Sequence, residues 1–376
     1  MRIFFVTNSY TPYSGGVISS IIATTDALRS QGHEVFIITL DFLDTHQHND
    51  PDYVIRVTCP IKFMYKKNHM AIPWRPMRAI IELCKKYCPD IIHVHHPFLL
   101  GVSALHAARS YGIPCIFTYH TLYEQYAHYI PLPKVCIKPL IQLTVVRFCK
   151  LVDGIIAPSS AVKKFLSEQR ITTPIIVIPS ALRSVFFTQD KVNDSLYTKK
   201  PYELLVVSRF VPEKNIPFVF DVFKLLPEEF NLTLVGYGID YKKIKQYAFD
   251  IVCLSPDRVR FIHKPPIDDL LLLYRNADFF IFPSQTDTQG IVLAEAMSQG
   301  LPVIALDGPG QQDIIINGVN GFIVTDEQHA AITIINTLSN PTLYHQLREG
   351  ACTTAQKYHS HNIIKKIINF YQDILY

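Results

Sequence analysis

The chain has 376 residues, of which 48% are hydrophobic and 18% charged, with a formal net charge of +4. That length exceeds one ordinary α/β core and predicts two domains, while the composition excludes a disordered protein. No run of 18 apolar residues lacks a charge, which argues against a spanning helix, and nothing in the charge pattern calls for a nucleic-acid partner.

Residues 2–7 place one basic residue before a short apolar run that meets polar Asn8, a first strand and not a signal-peptide core. Residues 17–31 then carry Ile18, Ile21, Ile22 and Leu28 at helical spacing until Gly32 stops them. Further strands are expected at 34–40, 90–95, 115–120, 154–158 and 175–178. A polar stretch at 188–201 reads as a linker, and a second series follows at 203–209, 232–236, 258–262, 278–283, 302–307 and 321–324. The last helix has Ile363, Ile364, Ile367, Ile368, Tyr371 and Leu375 on one broad face, which should dock on protein. Strand and helix alternate throughout. The fold class is α/β, two doubly wound parallel-sheet domains facing across a cleft, with ligands at the strand carboxyl ends. The expected domains are 1–185, joined by the returning helix 357–376, and 186–356.

The eight cysteines are scattered, and Cys84 and Cys88 have helical spacing, unlike a Cys-x-x-Cys site; a reduced, cytoplasmic protein is expected. Residues 1–180 hold 18 Lys and Arg against 11 Asp and Glu, whereas the remainder hold 18 against 21. A basic first half suits an anionic partner, or else the surface charge is simply uneven.

Four groups fall where such a fold places a site. Tyr13-Ser14-Gly15-Gly16-Val17 joins strand to helix, so its amides suit a diphosphate, although a glycine pair can equally make a plain turn. It is not Gly-x-Gly-x-x-Gly, and Gly236-Tyr237-Gly238 lacks the third glycine, which argues against a dehydrogenase. Arg209 and Lys214 flank a loop entering a helix and can converge on one phosphate; the alternative is a solvated surface pair. Asp287 and Glu295 bracket the turn Thr288-Gln289-Gly290 and suit sugar and ribose hydroxyls, and a surface glutamate fits poorly amid Leu293, Ala294, Ala296 and Met297. His93, His95, His96 and His120 end two strands without acidic or cysteine companions, so no metal is expected. His120 either bonds a transferred sugar or is structural. Asp50-Pro51-Asp52 sits in a polar loop and reads as solvent-exposed.

Together with Gln31-Gly32-His33-Glu34-Val35, Glu213-Lys214-Asn215, Val235-Gly236-Tyr237-Gly238 and Glu295-Ala296-Met297 through Gly300-Leu301-Pro302-Val303, the chain resembles retaining glycosyltransferase family 4 over nearly its whole length. The resemblance implies the GT-B fold, a nucleotide-sugar co-substrate and no cofactor. It implies that the Gly16 amide, Arg209 and Lys214 hold the donor diphosphate, that Gly15 and Gly236 belong to the donor-binding set, and that Glu295 binds ribose. Asp287, with backbone at Thr288, Gln289 and Gly290, would hold the donor sugar, and His120 would lie against it. Most members carry glutamate at Asp287 and glycine at His263. The stretches His93-Val94-His95-His96-Pro97-Phe98-Leu99-Leu100-Gly101 and Thr118-Tyr119-His120-Thr121-Leu122-Tyr123-Glu124-Gln125-Tyr126-Ala127-His128-Tyr129-Ile130 are similar to diacylglycerol glucosyltransferases. That likeness implies glucose transfer from UDP-glucose to a lipid; mannosyl transfer in glycan synthesis and silent nucleotide-sugar binding are the alternatives. Residues 62–86, with seven basic side chains against Glu82, and 131–152, with no acidic one, interleave cations with apolar residues. Such segments suit an anionic membrane surface, hence a peripheral inner-face location, or are ordinary amphipathic helices.

Overall fold

The computed structural model describes residues 1–11, 13, 15–42, 50–65, 68–123, 134–187 and 200–376. The chain forms two compact units, residues 1–181 with 360–376, and residues 182–359. The expected linker at 188–201 falls, but for its last two residues, outside the described residues.

In the first unit the chain runs β1 (Arg2–Val6), α1 (Gly16–Ser30), β2 (Glu34–Leu40), β3 (Val54–Val57), β4 (Ile61–Tyr65), β5 (Asn68–Ile72) and α2 (Pro76–Tyr87). It continues through β6 (Ile91–Val94), α3 (Leu100–Tyr111), β7 (Cys115–Thr118), α4 (Lys134–Cys149), β8 (Gly154–Ala157), α5 (Ser160–Glu168) and β9 (Ile175–Val177). Seven strands make one parallel sheet in the order β3-β2-β1-β6-β7-β8-β9. Alternate residues of β1 serve two cores: Phe4 and Val6 face one, Ile3 and Phe5 the other. Ile363, Ile364, Ile367, Phe370 and Tyr371 of the last helix close the second core. Gly154 lets that helix in, because a Cβ there would stand 2.7 Å from the Phe370 ring.

The second unit runs β10 (Tyr202–Arg209), α6 (Ile216–Lys224), β11 (Phe230–Tyr237), α7 (Tyr241–Gln246), β12 (Val259–Ile262), α8 (Ile267–Asn276) and β13 (Phe279–Phe282). Then come α9 (Ile291–Ser298), β14 (Val303–Leu306), β15 (Gly321–Val324), α10 (Glu327–Leu338) and α11 (Pro341–Gln356), and α12 (Ser360–Leu375) is the helix that belongs to the first unit. Its six strands pair in parallel as β12-β11-β10-β13-β14-β15. In each sheet the first strand lies between the second and the next one added on its other side. The strand order therefore reverses beside β1 and beside β10, the places where such sheets bind ligands.

The expected strands all form, with ends shifted by a residue or two, and all pair in parallel. Three strands were not expected. β3 extends the first sheet, and β4 and β5 form an antiparallel hairpin pairing Ile61 with Ile72 and Phe63 with Met70. Asp50 corrects the expectation of a solvent-exposed loop: it grips Arg56 at 2.6 Å, while Arg56 also donates to the carbonyls of Leu40 and Thr11. Asp52 is exposed, as expected.

Candidate active site

In the second unit the carboxyl ends of β10 and β13 are neighbours, so loops 73 residues apart meet. β10 ends at Arg209, and a short turn at Pro212–Lys214 leads into α6 through Asn215, which has the left-handed φ of 48°. From that turn Lys214 Nζ donates to both Asp287 carboxylate oxygens at 2.6 Å. Burial pushes the Asp287 carboxyl up, but the Lys214 charge and hydrogen bonds, the Ser284 hydroxyl and the Arg209 charge outweigh it and hold the group below its ordinary value. Arg209, Lys214 and Asp287 thus form one charged cluster. Gly290, with φ of 65°, begins α9 in a conformation that β-carbon residues avoid. Gln289 beside it is buried and Thr288 half-buried.

Glu295 lies on α9 with 9% of its surface exposed. Burial raises its carboxyl to about 7, against the opposing effects of the Tyr274 hydroxyl and Arg183. Tyr274, fully buried on α8, donates to Glu295 Oε2 at 3.0 Å. Gly236 is required for a different reason: a Cβ there would sit 1.7 Å from the Ser208 carbonyl oxygen, closing the gap between the ends of β10 and β11. His263, where the family resemblance leads one to expect glycine, is exposed and packs edge-on to Tyr241 with ring centroids 5.3 Å apart.

In the first unit Gly15 precedes and Gly16 opens α1, and a Cβ on Gly15 would meet nothing within 4 Å. The backbone approach there is open. The four strand-end histidines gather around β6 and β7. His93 is structural: its ring nitrogens bond Tyr371 and Thr118 hydroxyls at 2.6 Å each. His96 accepts from the Asn8 amide at 3.2 Å. His95 Nδ1 and His120 Nε2 are 2.9 Å apart. Burial lowers all four, His93 to about 3 and His96 to about 4, with neighbouring imidazoles adding to the effect at His95 and His120. These rings are neutral hydrogen-bonding groups at physiological pH. Among the described residues no cluster of three or more His, Cys, Asp or Glu is arranged to hold a metal.

One contributor gave no signal in the sequence. Gln311 Nε2 donates to the carbonyls of Ser284 and Leu306, tying the β13 loop to β14, and only the adjacency of those strands would have disclosed it. The Glu213-Lys214-Asn215 motif includes Glu213 without assigning it a role; both its carboxylate oxygens are buried with no hydrogen-bond partner among the described residues.

The family model "Glycosyltransferase Family 4" matches residues 14–182, and "Glycosyl transferases group 1" matches residues 188–353. An alpha-monoglucosyldiacylglycerol synthase of Streptococcus pneumoniae is 32% identical over 389 residues, covering 100% of this chain and 86% of that protein. The chain belongs to glycosyltransferase family 4. This glycosyltransferase is also 26% identical to a GDP-mannose-dependent alpha-mannosyltransferase of Mycobacterium tuberculosis, over 86% of this chain and 84% of that one. Its fold is that of Anabaena HepE solved with UDP-glucose, at TM-score 0.76 and 19% identity over 99% of this chain and 100% of that one. The fold class read from the sequence, two Rossmann-like parallel sheets of GT-B type, is the one found. Among the described residues no helix is long and apolar enough to cross a membrane.

Proposed function

We propose that this glycosyltransferase moves glucose from UDP-glucose to the hydroxyl of a membrane lipid such as diacylglycerol, with retention at the anomeric carbon. The observation that carries the donor half is the Arg209, Lys214 and Asp287 cluster at the strand reversal of the second sheet. When donor enters, Lys214 exchanges Asp287 for a phosphate oxygen, and the freed carboxylate accepts sugar hydroxyls. Arg209 and Lys214 then stabilise the charge that grows as the anomeric C–O bond to UDP breaks. The lipid hydroxyl attacks the anomeric carbon from the same face, and its proton passes to a donor phosphate oxygen. Gly15 and Gly16 are assigned to the diphosphate, Thr288, Gln289 and Gly290 to the sugar through their backbone, and His120 to the transferred sugar. Gly236 keeps the strand ends close enough to form the donor side. No metal or cofactor is required.

Glu295 is assigned to the ribose hydroxyls, which bond an anionic carboxylate best. Since its carboxyl stands at about 7, UDP affinity should fall as pH drops through 7, approaching tenfold per pH unit below it. Calorimetric titration of UDP from pH 8 to 6 checks this. The 2′-deoxy nucleotide or Glu295→Gln should flatten the profile, and an equal slope in either rejects the assignment.

The acceptor half draws on the hairpin. Cross-strand pairing puts Ile61, Phe63, Met70 and Ile72 on one face, 55%, 46%, 44% and 45% exposed. On the opposite face Ala71 enters the core and Lys62 pairs with Asp41 at 2.8 Å. Trp74 and Met77, just after the hairpin in the chain, are exposed too, as are Arg75, Arg78, Lys85 and Lys86. On α4, Leu140 and Leu143 are exposed among Lys138, Arg147 and Lys150; residues 131–133 lie outside the described residues. An apolar face with cations close by in the chain fits the headgroup boundary of an anionic leaflet, so the protein is assigned to the membrane surface as a peripheral protein. Burying the exposed half of each side chain is worth about 1–1.5 kcal/mol, so Phe63→Ser with Met70→Ser should weaken binding to phosphatidylglycerol vesicles on the order of 10²-fold. Flotation of both proteins at one salt concentration decides it; equal flotation removes the hairpin from the reading. A soluble glycan acceptor would leave even the unaltered protein in the dense, unfloated layer.

A further inference from the structure

His95 is buried to 3% exposure between two imidazoles, stacked on His93 at 4.5 Å and 27° and on His120 at 5.2 Å and 24°. Its Nδ1 lies 2.9 Å from His120 Nε2, so one of these nitrogens donates and the other accepts. Its own Nε2 is buried and has no hydrogen-bond partner among the described residues. That asymmetry selects a tautomer. A buried N–H without an acceptor is rarer and costlier than a buried lone pair without a donor. The single proton of His95 therefore sits on Nδ1 and is donated to His120 Nε2. His120 must then accept at Nε2 and carry its own proton on Nδ1. Burial and the surrounding imidazoles keep His95 neutral, so it cannot escape the choice by holding two protons.

The scaffold fixes His95 in turn. β6 sets its backbone, whose amide donates to the Val6 carbonyl at 2.9 Å. His93, beneath it in the stack, is clamped by the hydroxyls of Tyr371 on α12 and Thr118 on β7. We infer that His95 is a positioning residue, which holds His120 in the Nδ1–H tautomer and in one ring orientation. The inference rests on the reading that His120 meets the transferred sugar, and it adds which tautomer His120 holds and which residue dictates that.

Two measurements separate the inference from that reading. The first needs no turnover: two-bond ¹⁵N–¹H correlation of histidine-labelled protein, with His120 assigned from its loss in His120→Gln. His120 should show the Nδ1–H pattern, and an Nε2–H pattern overturns the inference whatever the activity. The second uses UDP-glucose and diacylglycerol vesicles. His95→Asn keeps an N–H where Nδ1 stood and should retain transfer within a few-fold. His95→Gln puts its N–H at the Nε2 position, and His95→Phe keeps only the ring. Both should lower kcat on the order of 10²-fold, the scale of a misaligned reacting group, with donor KM little changed. Equal loss in all three variants, or none in any, overturns the positioning role. Failure of His120→Gln to lose transfer would sink the sugar contact while leaving the tautomer result standing.

Discussion

Lys214→Ala should reduce sugar transfer by a factor on the order of 10²–10³, the usual consequence of deleting one group that stabilises charge developing on a leaving oxygen. The same change must also affect stability, because Lys214 is the cation that both Asp287 oxygens face at 2.6 Å. With side chains 13% and 20% exposed, removing one partner strands the other in a poorly solvated place, at a cost of about 3 kcal/mol. Lost activity alone would therefore be ambiguous. A second substitution separates the two effects: with Lys214→Ala in place, Asp287→Asn neutralises the stranded carboxylate. Thermal stability should return most of the way while transfer does not. Arg209→Ala, which removes a more distant contributor to the Asp287 environment, should cost transfer on the same scale with a smaller fall in melting temperature. Melting curves and initial rates with UDP-glucose on the four proteins check this. Near-normal turnover in both single variants would reject the phosphate role of the two cations.

The parts of this architecture that the sequence discloses are those written locally. β1 and β10 are short apolar runs bounded by polar residues, and two-sided burial explains why Phe4, Phe5 and Val6 are apolar in succession. Glu295 stood out because it interrupts the buried face of α9, and its partner Tyr274 confirms that the charge is not on the surface. The hairpin shows the opposite case. Ile61, Phe63, Met70 and Ile72 alternate as a strand should, yet their apolar side faces outward, so an inward-facing reading of hydrophobicity gives no strand there. No Asn-Gly or Asp-Gly turn marks the hairpin either. Pairings across the sheet are the second kind of silence. The sequence offers Arg209, Lys214 and Asp287 as separate candidates. What joins them is the adjacency of β10 and β13, a property of strand order. The histidines behave likewise: four were conspicuous, but only the register of β6 against β7 brings His95 to His120 and consigns His93 to Tyr371 and Thr118.

Acidification from pH 7 to 5 should destabilise the first unit and not the second. His93 and His95 are neutral in the folded state because burial disfavours their cations, whereas the unfolded chain protonates them near the ordinary value of 6.5. Below 6.5 the unfolded state therefore binds the extra protons. Each histidine then removes about 1.4 kcal/mol of stability per pH unit, until its depressed folded value is reached. At pH 5 these two fully buried rings together remove about 4 kcal/mol, a large share of the 5–15 kcal/mol typical of a whole domain. His96 and His120, partly accessible at the surface, act in the same direction. In the second unit the signs reverse. Burial raises Asp278 to about 6 and Glu295 to about 7, so there the folded state is the one that gains protons as pH falls toward their ordinary values near 4. Acid therefore favours the second unit while it weakens the first. Hydrogen exchange at pH 7, 6 and 5, corrected for the intrinsic pH dependence of exchange, should show β1, β6 and β7 losing protection while β10, β13 and α9 keep theirs. His93→Gln, which removes one of the buried protonation sites, should lower overall stability at pH 7 by orphaning the Tyr371 and Thr118 hydroxyls. It should also flatten the acid slope of the first unit by about one proton. Parallel loss of protection in both units would mean that the buried imidazoles do not control acid sensitivity.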